Sequence, residues 1–237
     1  MKNPEELKVD TGAGAEVTAL VYQSEQTTAD ASLVLAHGAG AGQRSPFMVS
    51  FARALSARGL DIVTFNFPYI EMNRHVPDRR PVLEGCYVAI INTVHRHLPS
   101  ARRALFIGGK SMGGRIATHA AAADATLPIA GLVLLGYPLH PPGRPAERRD
   151  AHLADIHRPM LVVQGSRDTF GTPAELETLL PALSGSVMHV VEGGDHSFKI
   201  RGGKAAQDSV LEAVQRAIVE WIETIRRRDR ENRRPRG

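Results

Sequence analysis

The chain predicts an α/β fold: a mostly parallel, twisted sheet with helices on both faces. Three observations carry that reading. Short apolar runs of strand length recur along the chain, with segments of apolar spacing near 3.6 between them. Ser32-Leu33-Val34-Leu35-Ala36 is almost wholly apolar, as a strand covered on both faces should be. No stretch of linker composition divides the 237 residues, so they are expected to form a single domain over 1–225, followed by an Arg-rich, disordered tail over 226–237.

The elements follow in order. Glu16-Val17-Thr18-Ala19-Leu20-Val21-Tyr22 alternates enough for an antiparallel edge strand. Residues 32–36 and 61–66 read as buried strands, and further buried strands are expected at 104–108, 129–135, 159–164 and 187–191. Helical spacing marks 46–58, 82–97, 112–123 and 173–183, with Pro173 suited to a first turn. A last helix carries Val210, Leu211, Val214, Ile218, Trp221, Ile222 and Ile225 as an apolar stripe that should dock on the sheet. Two irregular segments remain, 68–80 and 137–158. The second is too short for a large cap domain and is expected to form a modest flap.

Composition narrows the classes of function. With 43% hydrophobic and 23% charged residues the chain is of ordinary globular type. Aromatics at 5% argue against base-stacking platforms for nucleic acid. The single cysteine, Cys86, allows no disulfide within the chain and no thiolate zinc cluster. Met1-Lys2-Asn3-Pro4-Glu5-Glu6 lacks the apolar core of a signal peptide, and no apolar run reaches membrane-spanning length. A cytoplasmic location without membrane contact is therefore expected. The net charge of +4 comes from the tail: seven arginines against Asp229 and Glu231 give residues 226–237 +5, leaving −1 for the body. A solvated terminus is the plain reading of that tail, and a nucleic-acid or acidic-partner contact is the alternative.

Gly109-Lys110-Ser111-Met112-Gly113 is the only Gly-x-Ser-x-Gly in the chain. Composition alone would give such a pattern roughly 0.1 times, so context must decide its meaning. The context is Ala104-Leu105-Phe106-Ile107 before it and an Ala-rich helical segment after it. Strand, sharp turn and helix are what a nucleophile elbow requires. A serine hydroxyl needs a histidine to take its proton and an acid to orient that histidine, in the chain order Ser, acid, His. His196 lies just after the strand 187–191, and Asp168 just after Met160-Leu161-Val162-Val163-Gln164-Gly165. Loops at the carboxyl ends of strands are where such sheets place their sites. Asp195 competes for the acid's role, and chain order favours Asp168. Oxyanion donors are expected from the backbone N–H of Met112 and of Ala39, with Gly38 or Gly40 as alternatives, in His37-Gly38-Ala39-Gly40-Ala41-Gly42. His37 is expected to shape that loop, not to react.

These motifs resemble the α/β-hydrolases, close to the dienelactone-hydrolase-like and small esterase branches. More narrowly they resemble the testis-expressed protein 30-like branch. The carriers are His37-Gly38-Ala39-Gly40, Gly108-Gly109-Lys110-Ser111-Met112-Gly113-Gly114-Arg115, Gly136-Tyr137-Pro138-Leu139-His140-Pro141-Pro142-Gly143, Gly165-Ser166-Arg167-Asp168 and Asp195-His196-Ser197-Phe198. The resemblance spans roughly residues 10–225 and implies Ser111, Asp168 and His196 as a catalytic triad. The chain departs from dienelactone hydrolases proper, whose nucleophile is cysteine. The expected activity is cleavage of carboxylic esters or related acyl bonds through an acyl-enzyme on Ser111, on small-molecule substrates and without a cofactor. The other reading is a non-catalytic binding protein on this fold that uses the basic tail.

Other signals fail. A phosphate loop would need glycine at Ala104, and a dinucleotide fingerprint would need one at Gln43. His95 and His97 sit two apart on a helix and point to different faces, and His119, His140, His152 and His157 read as ordinary loop or helix residues. No metal is therefore expected. Arg74, Arg79, Arg80, Arg144, Arg148 and Arg149 lie in the two irregular segments. They suggest anionic substrates, with solvated loop arginines as the plainer alternative. Oligomeric state is not legible.

Overall fold

The apolar runs become strands of one sheet in a computed structural model that describes residues 3–12, 15–24, 26, 29–183 and 185–233. In chain order they are β1 (Glu5–Asp10), β2 (Glu16–Tyr22), β3 (Ser32–Ala36), β4 (Asp61–Phe65), β5 (Leu105–Lys110), β6 (Gly131–Leu135), β7 (Met160–Gly165) and β8 (Val187–Val191). They lie in the order β1-β2-β4-β3-β5-β6-β7-β8. β2 pairs antiparallel with β1 and with β4, and every later pairing is parallel. The helices are α1 (Pro46–Ser56), α2 (Pro68–Glu71), α3 (Arg80–His97), α4 (Pro99–Arg103), α5 (Met112–Ala123), α6 (Pro173–Glu177) and α7 (Lys204–Arg233).

The two-residue strand period sorts the core into two layers. Val34 and Ile107 face one side, where Tyr87 and Ile90 of α3 and Ile116 and Ala120 of α5 cover them. Leu33, Leu35 and Phe106 face the other, under Phe51 and Leu55 of α1 and Val214, Ile218 and Ile222 of α7. The stripe read from the last helix is thus docked as expected. Val214, Ile218 and Ile222 have no exposed surface, and each such burial contributes about 1.5–3 kcal/mol. Among the described residues no helix is long and apolar enough to cross a membrane.

Several expectations need correction. β1, not β2, is the sheet's edge. Glu5-Glu6-Leu7-Lys8-Val9-Asp10 offers only Leu7 and Val9 on one face, too little apolar signal to read as a strand, and it becomes one by pairing with β2 from Glu16 to Val21. The strand at 187–191 is the opposite edge, bonded only to β7, and Val187 is 44% exposed. The helix expected over 173–183 stops at Glu177 and resumes as a 3-10 turn over Leu180–Ala182. Pro181 has no N–H to give and its ring crowds the preceding turn. The tail expected to be disordered from 226 continues α7 to Arg233, while 234–237 lie outside the described residues. Arg226 and Arg230, one turn apart, both reach Asp30, at 2.7 and 3.3 Å. That contact explains why the helix outlasts its apolar stripe.

Candidate active site

β5 runs out at Lys110 and α5 starts at Met112, leaving Ser111 alone to make the turn. Its backbone sits at φ +51° and ψ −114°, a conformation that costs a residue with a Cβ about 1–3 kcal/mol. The surroundings hold it there. Ser111 N–H donates to the Leu135 carbonyl at 2.9 Å, and Arg115 N–H donates back to the Ser111 carbonyl at 3.1 Å. The flanking glycines are a packing requirement. A Cβ on Gly109 or on Gly113 would lie 2.4 Å from the Ala36 carbonyl oxygen. Tyr87 steadies the strand just before the turn: its hydroxyl donates to the Gly108 carbonyl at 2.5 Å and accepts from Gly108 N–H at 2.9 Å.

The loops after β7 and β8 bring the other two predicted residues to this turn. His196 Nε2 lies 2.8 Å from Ser111 Oγ, and His196 Nδ1 lies 2.8 Å from Asp168 Oδ2. The Asp168 carboxylate is 1% exposed, and its oxygens are filled. Gln164 Nε2 donates to Oδ2 at 2.9 Å and Phe170 N–H to Oδ1 at 2.8 Å. A carboxylate so supplied with donors stays in one orientation. Asp195 is not at the imidazole. Its Oδ1 accepts the N–H groups of Ser197 and Lys199, at 2.8 and 2.9 Å, which folds the loop that carries His196. Phe170 stacks on the imidazole at 4.2 Å between centroids. The two loops are laced together: Arg167 N–H donates to the Gly194 carbonyl at 2.8 Å, and Gly193 N–H to Ser166 Oγ at 2.8 Å.

The glycine-rich loop after β3 faces Ser111 across the cleft. Gly38, Ala39, Gly40 and Met112 all line it. The N–H groups of Ala39 and Met112 have no hydrogen-bond partner among the described residues. His37 is fully buried, and burial holds its pKa below the usual value, so the ring is neutral. Its Nε2 accepts from Phe67 N–H at 3.1 Å, which leaves Nδ1–H to donate to the Gly38 carbonyl at 2.8 Å. Tyr69 hydroxyl donates to the Ala39 carbonyl at 2.9 Å. The two together fix the peptide planes of the loop, the shaping part expected of His37.

The cleft measures about 610 Å³, within the range of small-molecule sites. Pro77, Asp78 and Arg80 line it from one irregular segment and Pro138 and Arg149 from the other, so both segments flank the site as anticipated. Of the six arginines noted in those segments, Arg80 and Arg149 reach the cleft. Gln164, Tyr69 and Arg115 escaped the sequence reading. Gln164 alone left a signal, a polar residue inside the apolar run of β7. Cys86 is buried and its thiol is pushed up to about 12, so it is inert.

Residues 29–223 match the family model described as an alpha/beta hydrolase domain. Solved structures of the same fold include a serine hydrolase without lid from Xanthomonas campestris, with TM-score 0.70 and 21% identity over 93% of this chain and 96% of that one. A dienelactone hydrolase from Anabaena variabilis matches with TM-score 0.71 and 21% identity over 94% and 99%. The esterase domain of a Rhodothermus marinus protein matches with TM-score 0.70 and 14% identity over 96% and 99%. At these identities the likeness speaks for the fold, and the site must carry the chemistry.

Proposed function

The chain belongs to the α/β-hydrolase family, and on that premise we propose that it is a serine hydrolase that cleaves carboxylic esters, with Ser111, His196 and Asp168 as its catalytic triad. The observation that carries the proposal is the continuous relay from Ser111 Oγ through both nitrogens of His196 to Asp168, each step 2.8 Å. A serine hydroxyl alone is a poor nucleophile at neutral pH, and this arrangement removes its proton as it attacks. Ser111 Oγ bonds to the acyl carbon while its proton passes to His196 Nε2. Asp168 keeps Nδ1 protonated and stabilises the imidazolium. The N–H groups of Ala39 and Met112 take the negative charge that develops on the carbonyl oxygen, and losing one such donor typically costs about 10²–10³ in kcat. His196 returns the proton to the departing alcohol, leaving an acyl-enzyme. A water then gives a proton to His196 and its hydroxyl to the acyl carbon, and Ser111 leaves with that proton. Small or flexible acyl groups suit the open cleft.

A fluorophosphonate probe tests the nucleophile, and a series of p-nitrophenyl esters of rising acyl length tests the substrate class. The wild type should take up the probe and turn over the esters, and Ser111→Ala should do neither. Absence of labelling in both would move the chain to the binding-protein reading, with its basic last turns as the contact surface.

A further inference from the structure

We propose that the guanidinium groups of Arg115 and Arg149 form an anion-binding subsite in the cleft wall, selecting acyl substrates that carry a carboxylate or phosphate group near the scissile bond. This inference rests on the ester-hydrolase reading for the word substrate, though not for the binding itself.

Arg115 lies four residues after Ser111, at the next turn of α5. Residues so spaced share a helix face, and both line the same cleft. Arg149 approaches from the segment after β6. Its backbone is pinned on both sides, with Arg149 N–H donating to the Leu139 carbonyl at 2.8 Å and Tyr137 hydroxyl donating to the Arg149 carbonyl at 2.6 Å. The position of this arginine is therefore built, not left to a loose loop.

What sets the two apart from Arg80, the third arginine lining the cleft, is the lack of an ion pair. Arg80 pairs with Glu84 at 3.2 Å, Arg74 with Asp78 at 2.7 Å, Arg144 with Glu147 at 3.0 Å, and Arg148 with Asp150. Neither Arg115 nor Arg149 has a side-chain ion pair among the described residues. Arg115 Nε is sealed from solvent and has no hydrogen-bond partner. A buried charged donor without an acceptor is costly, and native structures rarely keep one without cause.

The neighbouring groups feel the same positive field. Burial first, and then the Arg149 charge, lower the Arg115 pKa. His119 and His152, stacked at 3.6 Å, are held down to about 4 by burial and by Arg115 and Arg80. These two imidazoles thus add no charge of their own near neutral pH. Lys110 also lines the cleft, and its ammonium is engaged, donating to the His196 carbonyl. Asp78 is the one acid lining the cleft among the described residues; Arg74 pairs with its Oδ1, and its buried Oδ2 has no hydrogen-bond partner. An oxyanion placed between the two free guanidiniums would offset both charges and relieve the repulsion between them. Planar guanidinium donors match the oxygen spacing of carboxylate and phosphate.

Calorimetry on the Ser111→Ala protein, which keeps the cleft and lacks the nucleophile, tests binding with glutarate and with inorganic phosphate as probes. At least one should bind, weakening as salt rises. Arg149→Gln and Arg115→Gln, each made on that background, should each weaken it about tenfold or more. The stronger probe tells carboxylate-bearing from phosphate-bearing substrates. In the active enzyme, the kcat/KM ratio of p-nitrophenyl hemiglutarate to p-nitrophenyl butyrate should fall by a similar factor in Arg149→Gln. Arg149 is partly exposed and has no sealed side-chain nitrogen among those of the described residues, so its variant stays informative where the Arg115 variant fails to fold. No binding of either probe, or binding that both substitutions leave intact, overturns the subsite. A protein that binds glutarate yet hydrolyses no ester refutes the esterase reading alone, and one that hydrolyses both esters equally in wild type and variant refutes the subsite alone.

Discussion

The ammonium of Lys110 donates to the main-chain carbonyl of His196. The residue just before the turn at Ser111 thereby grips the residue whose imidazole meets Ser111 Oγ. Lys110 also lies 5.3 Å from the centre of the Phe198 ring, on the same loop. Burial lowers its pKa from 10.5 to about 8. Between those values the unfolded chain binds a proton that the folded chain has released, so stability from this group rises as pH climbs from about 8 to 10.5. The full depression is worth up to about 3 kcal/mol. Urea unfolding at pH 7.5 and at pH 10 should show the wild type gaining on Lys110→Met across that window. The comparison with the variant removes the contribution of tyrosines that titrate nearby. Without the grip on its loop, His196 is less well placed, and Lys110→Met should lose about 10–100-fold in kcat with KM little changed. Unchanged kcat would mean the loop holds its place without the lysine.

Strain at Ser111 makes a second prediction. A residue at φ +51° and ψ −114° is in a region that glycine enters freely and alanine does not. Elsewhere in a fold, glycine is the less stable of the two. Here Ser111→Gly should be more stable than Ser111→Ala by about 1–2 kcal/mol in chemical denaturation, with both inactive toward esters. The reverse order would show that the turn is relaxed and that the serine is presented by packing alone.

The stacked pair His119 and His152 gives a pH dependence of the same sign as that of Lys110, in the acid range. Both are held neutral, with pKa values of about 4 against 6.5 in the unfolded chain. The unfolded state takes up their protons first, so the stability they contribute is complete above pH 6.5 and is lost as pH falls toward 4. Thr118 fixes the tautomer of the neutral ring, since its hydroxyl already donates to the Arg115 carbonyl at 2.7 Å and can only accept from His152 Nε2–H, 2.8 Å away. Melting curves from pH 7 to 4.5 should flatten in His119→Gln and in His152→Gln. An undiminished slope in both would place the acid sensitivity in other groups.

The sheet's centre and the turn at Ser111 were legible because local signals and tertiary demands agree there. β3 to β7 are covered on both faces, and a strand with two buried faces writes an unbroken apolar run. Gly109 and Gly113 advertise the turn, since the Ala36 carbonyl leaves no room for a side chain at either. The edges were harder. β1 and β8 are each half solvated and weakly apolar, and only their partners make them strands. Gln164 and Tyr69 make side-chain contacts to Asp168 and to the Ala39 carbonyl, and Arg115 lines the cleft. No spacing rule in one sequence announces such contacts. The end of the last helix was misjudged because its basic turns look solvated until Asp30, remote in sequence, meets them.

Two acids competed for the imidazole in the sequence, and their hydrogen bonds now separate their expected parts. Asp168 Oδ2 lies 2.8 Å from His196 Nδ1 and the carboxylate is buried, so replacing it should damage proton transfer and spare the loop. Asn at this position keeps the size and offers an N–H where an acceptor is needed, which favours the wrong tautomer of His196. A fall in kcat of about 10⁴ is the scale seen when a triad acid is so replaced. Asp195 holds two backbone N–H groups and never meets the imidazole, so Asp195→Ala should cost about 1–2 kcal/mol of stability and leave kcat within a few-fold. Steady-state kinetics on p-nitrophenyl butyrate, with denaturant melts of the same two variants, gives both readouts. Equal losses of kcat would mean that Asp195 supports His196 as much as Asp168 does. A loss confined to Asp195→Ala would move the acid of the relay to the loop after β8.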